Sequence, residues 1–529
     1  MNEITEDRIY SRMSSSMGSE NMLNGAILVT ETRNENKTEM SKEEAYKAML
    51  LVADKLHMPN PFQDRNQFYQ TYSELDENPD WEKLLYIAFQ GESTKSALVP
   101  NVLFQEMTAH IKDETRTIMI AEAEKFVPNL KAVVDAHKNC QFTLTSMNAL
   151  YTKILKRIFA GYENVTVLNT SIYNYSFLDE KFDLIISVPA FGARNLAEDS
   201  VNFICRECEM AALQNLLLHI SDSGELVIAM PARITFGGGR VDRLRKFVTQ
   251  NYKLEEVAEL PFGIFRHTGI KTCLLGIGGG RTEDVAVRRY DAAGRKTMRD
   301  PVEQLELTDD MSVTVEDLDG IGNWSIDKLL TKQDEEYMKY QASNIRKVPL
   351  GEVAEIFRGK SVSGKNPIGP IGVVNITNIG QYEIDYDSLD KLDEEDRKIQ
   401  NYILREGDLL LPARGTVIRT AVFHEQVYPC IASSNVIVIR PDRKKMNSTY
   451  LKIFIDSPIG NKLISSLQQG MAVMNISYND LKILEVPFPA IADQDRTACE
   501  YENSYRTYIQ SISEAEKRWQ DTLDKLEIF

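Results

Sequence analysis

The spacing of hydrophobic residues differs between segments of the 529-residue chain. In residues 41–90 apolar side chains recur at helical spacing, and Ser41 and Glu44 have the spacing of a helix capping box. In residues 92–290 short β-rich apolar runs alternate with helical stretches, which is typical of an α/β layer on a largely parallel sheet. In residues 345–487 glycine and proline interrupt the apolar runs, and no regular helical pattern lies between these runs, which predicts a β-rich domain.

The remaining segments have weaker patterns. Residues 1–40 are polar, and we expect them to be loose. Residues 493–526 carry apolar residues spaced alternately three and four apart, the seam of a coiled coil, although a helix packed on its own domain would look similar. The predicted organisation is an N-terminal helical region at 1–90, an α/β domain at 91–290, a polar linker with one or two helices at 291–344, an α+β domain at 345–490 and a C-terminal helix at 491–529.

Composition narrows the class of protein. The hydrophobic fraction of 43% suffices for a sizeable core, and no apolar run approaches the roughly 20 residues that cross a bilayer. The polar N-terminus lacks the apolar core of a signal peptide, so we expect a cytoplasmic location and no membrane contact. Six scattered cysteines are too sparse for a disulfide framework, and Cys205-x-x-Cys208 has no second pair, so no metal site is predicted.

Charge limits where a nucleic acid could bind. The net charge is −17, with 38 basic and 52 acidic side chains in residues 1–344 but 23 and 26 in residues 345–529. The overall field repels phosphate, so any DNA must be bound by a local basic patch. The second part of the chain is the better candidate on charge alone.

One apolar strand carries the most informative motif. Phe182-Asp183 opens it, and it runs into Ser187-Val188-Pro189-Ala190-Phe191. This resembles the active-site strand of methyltransferases acting on the amino group of DNA adenine, where Asn-Pro-Pro-Phe or a close variant follows. Further matches are Ala97-Leu98-Val99-Pro100-Asn101, Leu260-Pro261, Gly263, Phe265, Thr268, Ile270 and Thr272. Together they resemble the modification subunit of type I restriction–modification systems, which implies a Rossmann-like class I methyltransferase domain using S-adenosylmethionine.

The catalytic motif departs from the family pattern. There, the Asn side chain and the carbonyl of the following Pro accept hydrogen bonds from the adenine N6 amino group and direct its lone pair at the methyl donor. Val188 stands in the place of that Asn and cannot accept a hydrogen bond, and Ala190 replaces the second Pro. An unpaired buried donor costs about 1–3 kcal/mol. Ser187 is adjacent but faces the other side of the strand.

The turn expected to hold the cofactor also departs from the family pattern. A Gly-x-Gly-type turn after the first strand normally lets the backbone approach S-adenosylmethionine closely. Here no glycine lies between Gly91 and Gly161. The two losses predict a degenerate methyltransferase with no assigned catalytic or cofactor-binding residue, in which S-adenosylmethionine is a cofactor only if the chain is active.

The second part resembles half of a DNA specificity subunit of the same systems. The matching pieces are Pro349-Leu350-Gly351-Glu352-Val353, Gly407-Asp408-Leu409-Leu410-Leu411, Ser433-Ser434-Asn435, Tyr450-Leu451, Ile476-Ser477 to Leu481, and Val486-Pro487-Phe488-Pro489 with Gln494. The resemblance implies a target-recognition domain that reads double-stranded DNA. The candidate DNA-binding residues are Arg358, Lys360, Lys365, Arg414, Arg419, Arg443, Lys444 and Lys445.

The resemblance also implies partners. Full specificity subunits carry two recognition domains and two long helices, whereas this chain has one of each. Two copies, or this chain and another half-specificity chain, would therefore pair through residues 493–526. Restriction or methyltransferase subunits are further candidate partners.

Three functions follow as hypotheses. The first is a sequence-specific DNA-binding protein whose inactive methyltransferase core serves as a scaffold or regulator. The second is an active DNA adenine-N6 methyltransferase with divergent motifs. The third is a protein-interaction scaffold that does not read DNA.

Overall fold

The computed structural model describes residues 3–36, 39–91, 98–265, 269–297, 300–362, 368–415, 418–469, 475–476 and 478–526. The motif residues Ala97, Thr268 and Ser477 lie outside these ranges. The chain forms two compact units, Met1–Ile326 and Asp327–Phe529.

The first unit packs helices around one large sheet. Its helices are α1 (Glu3–Met17), α2 (Ser19–Glu35), α3 (Lys42–Lys55), α4 (Arg65–Glu74), α5 (Trp81–Gly91), α6 (Asn101–Thr108), α7 (Val127–Ala136), α8 (Ala149–Ile158), α9 (Cys208–Leu216), α10 (Arg233–Phe236), α11 (Arg240–Asn251) and α12 (Val315–Ile321). Its strands are β1 (Thr117–Ala121), β2 (Gln141–Ser146), β3 (Val165–Asn169), β4 (Phe182–Ser187), β5 (Ile220–Pro231), β6 (Lys253–Glu259), β7 (Thr272–Gly278), β8 (Asp284–Ala292) and β9 (Leu305–Thr314).

The sheet confirms the predicted α/β class. Over the described residues the strand order is β3-β2-β1-β4-β5-β7-β6-β8-β9. The strands from β3 to β5 run parallel, whereas β7 is antiparallel to both β5 and β6. Strands β1 and β4 are apolar and almost entirely buried because helices cover both faces of a parallel sheet. One antiparallel strand, β7, thus lies between β5 and β6, and β8 and β9 extend the sheet beyond β6.

Two predicted segments are structured differently. The expectation that residues 1–40 are loose is wrong: α1 and α2 form there, and the apolar run Met22–Val29 of α2 is buried in the core. Residues 291–344, predicted as a linker, contain β9, which pairs antiparallel with β8 along its length. The composition of β9 is polar because it is an exposed edge strand, where charged side chains are tolerated.

The second unit follows the junction helix α13 (Ile326–Gln333). Its helices are α14 (Glu335–Ala342), α15 (Leu350–Val353), α16 (Asp396–Ile399), α17 (Ser448–Asp456), α18 (Pro458–Ser466), α19 (Tyr478–Ile483) and α20 (Ile491–Lys525). Its strands are β10 (Lys347–Pro349), β11 (Ala354–Arg358), β12 (Ile371–Val374), β13 (Asp390–Leu392), β14 (Leu409–Pro412), β15 (Ala421–Val422), β16 (Cys430–Ala432), β17 (Val436–Pro441), β18 (Gln468–Gln469), β19 (Asn475–Ile476) and β20 (Glu485–Pro487).

Two small sheets carry the core of this unit. In the described residues an antiparallel sheet has the order β11-β17-β14-β15, and a second sheet has the order β13-β12-β16. The apolar strands β14 and β17 are buried at the centre. Regular helices do occur here, since α17 and α18 pack beneath the first sheet, so the unit is α+β rather than β alone. Helix α20 is present as predicted, and of its residues Gln494 and Ala498 are buried.

Candidate functional site

The strand order of the first unit creates one crevice. The order changes direction between β1 and β4, because β2 and β3 lie on one side and β5 lies on the other. Ligands of open α/β sheets bind at such a switch point, beyond the carboxyl ends of the strands. The degenerate motif follows β4 and therefore lies at this crevice.

A buried lysine bridges the crevice. Lys125 belongs to the short turn after β1, and its side chain is only 2% exposed. Its Nζ lies 2.6 Å from Glu122 Oε2, on its own side of the crevice. The same Nζ donates to the backbone carbonyl of Val188, after β4, at 2.6 Å. A single ammonium group thus ties the two central strand ends together.

A tyrosine makes a second tie. The Tyr173 hydroxyl donates to Glu122 Oε2 at 2.9 Å and accepts the backbone N–H of Ala190 at 2.8 Å. Burial, and then the Glu122 carboxylate, raise the pKa of Tyr173 well above its ordinary value, so it remains a phenol. The backbone of the degenerate motif is therefore held at Val188 and at Ala190.

The Ser187, Val188 and Phe191 side chains of the degenerate motif are buried. Val188 is buried and apolar, so no side-chain acceptor stands where the family has Asn. Ser187 is fully buried, and its Oγ makes no hydrogen bond within the described residues. Phe191 packs edge-on against Phe265, with ring centroids 5.4 Å apart. Asp183 lies at the far end of β4 and accepts backbone N–H groups at the start of β1, which is a structural role.

A second carboxyl group lies within the turn after β1. Burial, and then the neighbouring Glu122, raise the pKa of Glu124 to about 7. The Ser146 hydroxyl at the end of β2 opposes this shift. Glu124 is therefore partly protonated near neutral pH.

The residues at the crevice do not fit S-adenosylmethionine. The turn after β1 has no glycine, and Glu122 itself adopts the left-handed conformation with φ of 53°. The side chains of Glu122, Glu124 and Lys125 are all buried there. A turn that carries these three buried side chains lacks the close backbone approach that a glycine turn offers to the methyl donor. The missing glycines are visible in the sequence, whereas the roles of Lys125 and Tyr173 are not, because Lys125 follows two glutamates in a charged turn and no motif marks Tyr173.

The second unit sorts the predicted DNA-binding residues into two groups. The strand register brings the end of β11, the end of β14 and the start of β17 to one end of the sheet. Arg358 and Lys360 lie there, as do Arg414 and Arg419. Lys360 is mostly buried, with Nζ 3.4 Å from Glu394 Oε2, whereas Arg414 is exposed. This end of the sheet is the candidate DNA interface.

The other predicted residues lie elsewhere. Arg443, Lys444 and Lys445 follow β17 and therefore occupy the opposite end of the sheet. The Arg443 guanidinium donates to the carbonyl of Glu406 and thereby braces its own unit. Lys365 lies outside the described residues. The structure thus does not bring the predicted set together on one surface.

Several motif residues of this unit have structural roles. Asp408 is almost fully buried and accepts from Arg440 Nε at 2.8 Å and Nη2 at 2.7 Å. Gly407 before it has φ of +85°, a conformation that favours glycine. Gln494 is buried and donates from Nε2 to the carbonyl of Lys445 at 3.1 Å, fixing α20 to its unit. These residues hold the unit together, and the sequence had not indicated Arg440.

Two further findings concern the described residues only. No group of three or more His, Cys, Asp or Glu side chains is arranged to hold a metal ion. Among the helices there, none is long and apolar enough to cross a membrane.

The fold and the crevice define the class of protein: an α/β unit with a ligand-binding crevice where its strand order changes direction, followed by an α+β unit. Comparison with known proteins gives the family of each part. Residues 119–341 match the N-6 DNA Methylase family, and residues 342–500 match the Type I restriction modification DNA specificity domain. The chain belongs to the type I restriction–modification methylase and specificity families as a fusion of the two.

Individual relatives match over parts of the chain. The type I restriction enzyme EcoEI methylase subunit of Escherichia coli is 32% identical over 114 residues, 20% of this chain and 23% of that subunit. The EcoBI specificity subunit of Escherichia coli is 23% identical over 198 residues, 35% of this chain and 41% of that subunit. The chain therefore spans less than half of either relative. Among solved structures, a type I methyltransferase subunit from Streptococcus thermophilus is 12% identical, with a TM-score of 0.43, covering 61% of this chain and 97% of that subunit.

Proposed function

We propose that this chain is a sequence-specific DNA-binding protein whose methyltransferase-fold unit does not transfer methyl groups and serves as a scaffold or regulator. The observation that carries the proposal is the Lys125 ammonium, which joins Glu122 to the backbone of the degenerate motif. In this arrangement the residues that would hold the methyl donor bind one another instead.

The energetics favour a closed crevice. Opening it separates the Lys125 ammonium from the carbonyl of Val188, and the loss of a hydrogen bond to a charged group costs roughly 1.5–3 kcal/mol. A ligand that must first open the crevice loses that amount from its binding free energy. Each 1.4 kcal/mol corresponds to a factor of ten, so the affinity falls by about one to two orders of magnitude.

Calorimetric titration with S-adenosylmethionine tests whether the methyltransferase-fold unit is inactive. We expect no micromolar binding and no methyl transfer to DNA by the wild-type chain. The variant Lys125→Gly, which removes the bridging side chain, measures how much of the loss comes from this residue. The alternative of an active adenine-N6 methyltransferase predicts clear micromolar binding and methylated adenine in the product, and that result would replace the proposal.

DNA reading is proposed for the second unit. It rests on the family match of residues 342–500 and on the arginines at one end of the four-stranded sheet, of which Arg414 is exposed. Arginine can contact phosphate and can read guanine bidentately. The test is selection of bound duplexes from a random library, with and without S-adenosylmethionine. Recovery of no enriched sequence would leave the scaffold hypothesis, in which the protein reads no DNA.

We also propose that the chain pairs through α20. Near its start the helix is fixed by Gln494, and Tyr505 still contacts Tyr382 of the same unit, with ring centroids 4.9 Å apart. Beyond that point the helix is largely exposed, including Trp519 with 63% of its surface accessible. A helix with an exposed apolar seam is stabilised by a second helix. The partner is a second copy or another half-specificity chain, and restriction or methyltransferase subunits are further proposed partners.

A further inference from the structure

A histidine lies between two buried carboxylates, near the amino ends of the parallel strands. Nδ1 of His110 donates to Oε1 of Glu225 in β5 at 2.8 Å. Nε2 of the same ring lies 3.7 Å from Oε2 of Glu256 in β6. Both glutamates are buried, so each carboxylate depends on the protein for a counter-charge. Only the protonated imidazole carries an N–H on each ring nitrogen, and this arrangement therefore fits a charged His110.

Strand β7, which lies between β5 and β6, leaves room for the histidine ring. Gly276 lies opposite Glu256 in the strand register. A Cβ at this glycine would lie 3.2 Å from Oε1 of Glu225 and 3.7 Å from Cε1 of His110. A side chain at this position would crowd both groups, so β5, β6 and β7 together form a site with space for one imidazole.

The charges around His110 favour its protonated form. Lys112 Nζ lies 3.3 Å from Oε2 of Glu225. Arg288 Nη1 lies 2.8 Å from Oε1 of Glu256. Burial opposes a charge on the imidazole, but the two carboxylates outweigh burial and raise the pKa of His110 above its ordinary value. The other groups that face this network from neighbouring elements are Glu106, Glu255, Tyr290 and Asp310. Acidic side chains thus outnumber basic ones, and a proton on His110 reduces the excess of negative charge.

Helix α6 connects His110 to the turn that closes the crevice. His110 lies two residues beyond the end of this helix. Before the start of the helix, the backbone N–H of Val99 donates to the carbonyl of Lys125 at 2.9 Å. Within the helix, Phe104 packs against Phe126 of the same turn, with ring centroids 4.8 Å apart. The segment from Val99 to His110 therefore contacts the turn after β1 at one end and the two carboxylates at the other.

We propose that His110 is a pH-sensitive switch: the protonated ring holds the end of α6 on the sheet, and loss of its proton releases this end and loosens the turn after β1. In the released state the ring faces water and has its ordinary pKa of 6.5. The pKa of His110 is higher when α6 is docked, so protonation stabilises docking fully below about pH 6.5. This stabilisation is lost as pH rises through the pKa of the docked state. The inference depends neither on DNA reading nor on the loss of methyl transfer.

Hydrogen–deuterium exchange with mass spectrometry tests the switch on the full chain. Protection of α6 and of residues 122–126 is measured from about pH 6 to about pH 9, after correction for the intrinsic exchange rate. Every chain carries Glu124→Gln, because Glu124 has a pKa of about 7 in the turn after β1 and would add its own pH dependence. The test variant is His110→Gln, which cannot become charged. The control is His424→Gln, since that ring lies 2.9 Å from Glu406 but is 66% exposed, against 18% for His110.

Release of one proton makes protection of α6 fall by up to about tenfold per pH unit above about pH 6.5, in the parent chain and in His424→Gln. His110→Gln should have low protection at every pH, without this fall.

A second variant separates titration from a general loss of stability. Glu256→Gln removes a carboxylate that favours the charged ring, so the fall in protection should end at a lower pH than in the parent chain. A general loss of stability would lower protection without moving this pH. The same fall in His110→Gln, its absence from the parent chain, or an unmoved fall in Glu256→Gln overturns the inference. Unchanged protection of residues 122–126 while α6 opens overturns the connection to the crevice.

Discussion

The buried bridge at the crevice makes a quantitative prediction about stability. In Lys125→Met the Glu122 carboxylate loses its charged partner, and the carbonyl of Val188 loses its donor. Removal of one member of a buried ion pair typically costs 3–5 kcal/mol, so we expect the first unit to lose about that free energy of unfolding. In the double variant Lys125→Met/Glu122→Gln no buried charge is left alone. The double variant should therefore be less destabilised than the sum of the two single variants by about 1–3 kcal/mol.

Urea unfolding followed by tryptophan fluorescence measures this loss. The chain has three tryptophans, and Trp81 and Trp324 belong to the first unit. In a Trp519→Phe background the signal reports that unit alone, which is necessary because a chain of two units need not unfold in one transition.

The matched control is an exposed ion pair of almost the same geometry. Lys55 Nζ lies 2.5 Å from Glu35 Oε1, but the Lys55 side chain is 66% exposed. Water screens such a pair, so Lys55→Met should leave the unfolding midpoint unchanged within error. The two lysines differ in burial rather than in distance. If Lys125→Met is no more destabilised than Lys55→Met, the bridge does not hold the crevice closed and the reasoning is refuted.

Three further predictions concern other parts of the molecule. Burial raises the pKa of Glu124 to about 7, so the folded unit keeps a proton that the unfolded chain releases near pH 4.5. The stability of the folded unit therefore falls as pH rises between these two values. The variant Glu124→Gln should flatten this dependence, which urea unfolding at about pH 5 and about pH 8 measures. Arg414→Gln should lower affinity for a selected duplex by roughly 1–3 kcal/mol, whereas Lys444→Gln at the opposite end of the sheet should not; equal losses would contradict the assigned interface. Ile512→Lys in the apolar seam of α20 should shift the chain toward monomer in sedimentation velocity, and Gln510→Lys outside the seam should leave the association state unchanged; a wild-type chain that is already monomeric would exclude pairing.

The pattern of hydrophobic residues predicted the α/β class but not every element. Strands β1, β4 and β5 each contain an uninterrupted apolar run of at least three residues, so they stand out in the sequence. Strand β2 does not, because Gln141–Ser146 alternates apolar and polar residues over only six positions. Helix α2 was hidden by polar flanks, and by Gly25, where an added Cβ would meet the Met17 Cε at 3.0 Å.

The sequence predicted which family residues the candidate site lacks, but it did not predict the contacts that replace them. Val188 and the absent glycines are visible in the sequence, and both indicate a degenerate motif. The bridge is not visible, because Lys125 and Val188 are 63 positions apart and meet only through the strand order. For the same reason the spacing of basic residues could not show that Arg414 and Lys444 lie at opposite ends of one sheet.

The length of helix α20 also sets the distance between the two DNA half-sites that a pair of these chains would recognise. An α-helix rises about 1.5 Å per residue, so its 35 residues extend for about 52 Å. The part beyond Tyr505 is about 30 Å long, comparable to roughly nine base pairs at 3.4 Å each. In such a pair the helix would act as a ruler. Seven inserted residues would keep the seam in register and lengthen the ruler by about 10 Å, so the two recognised half-sites should move apart by about three base pairs.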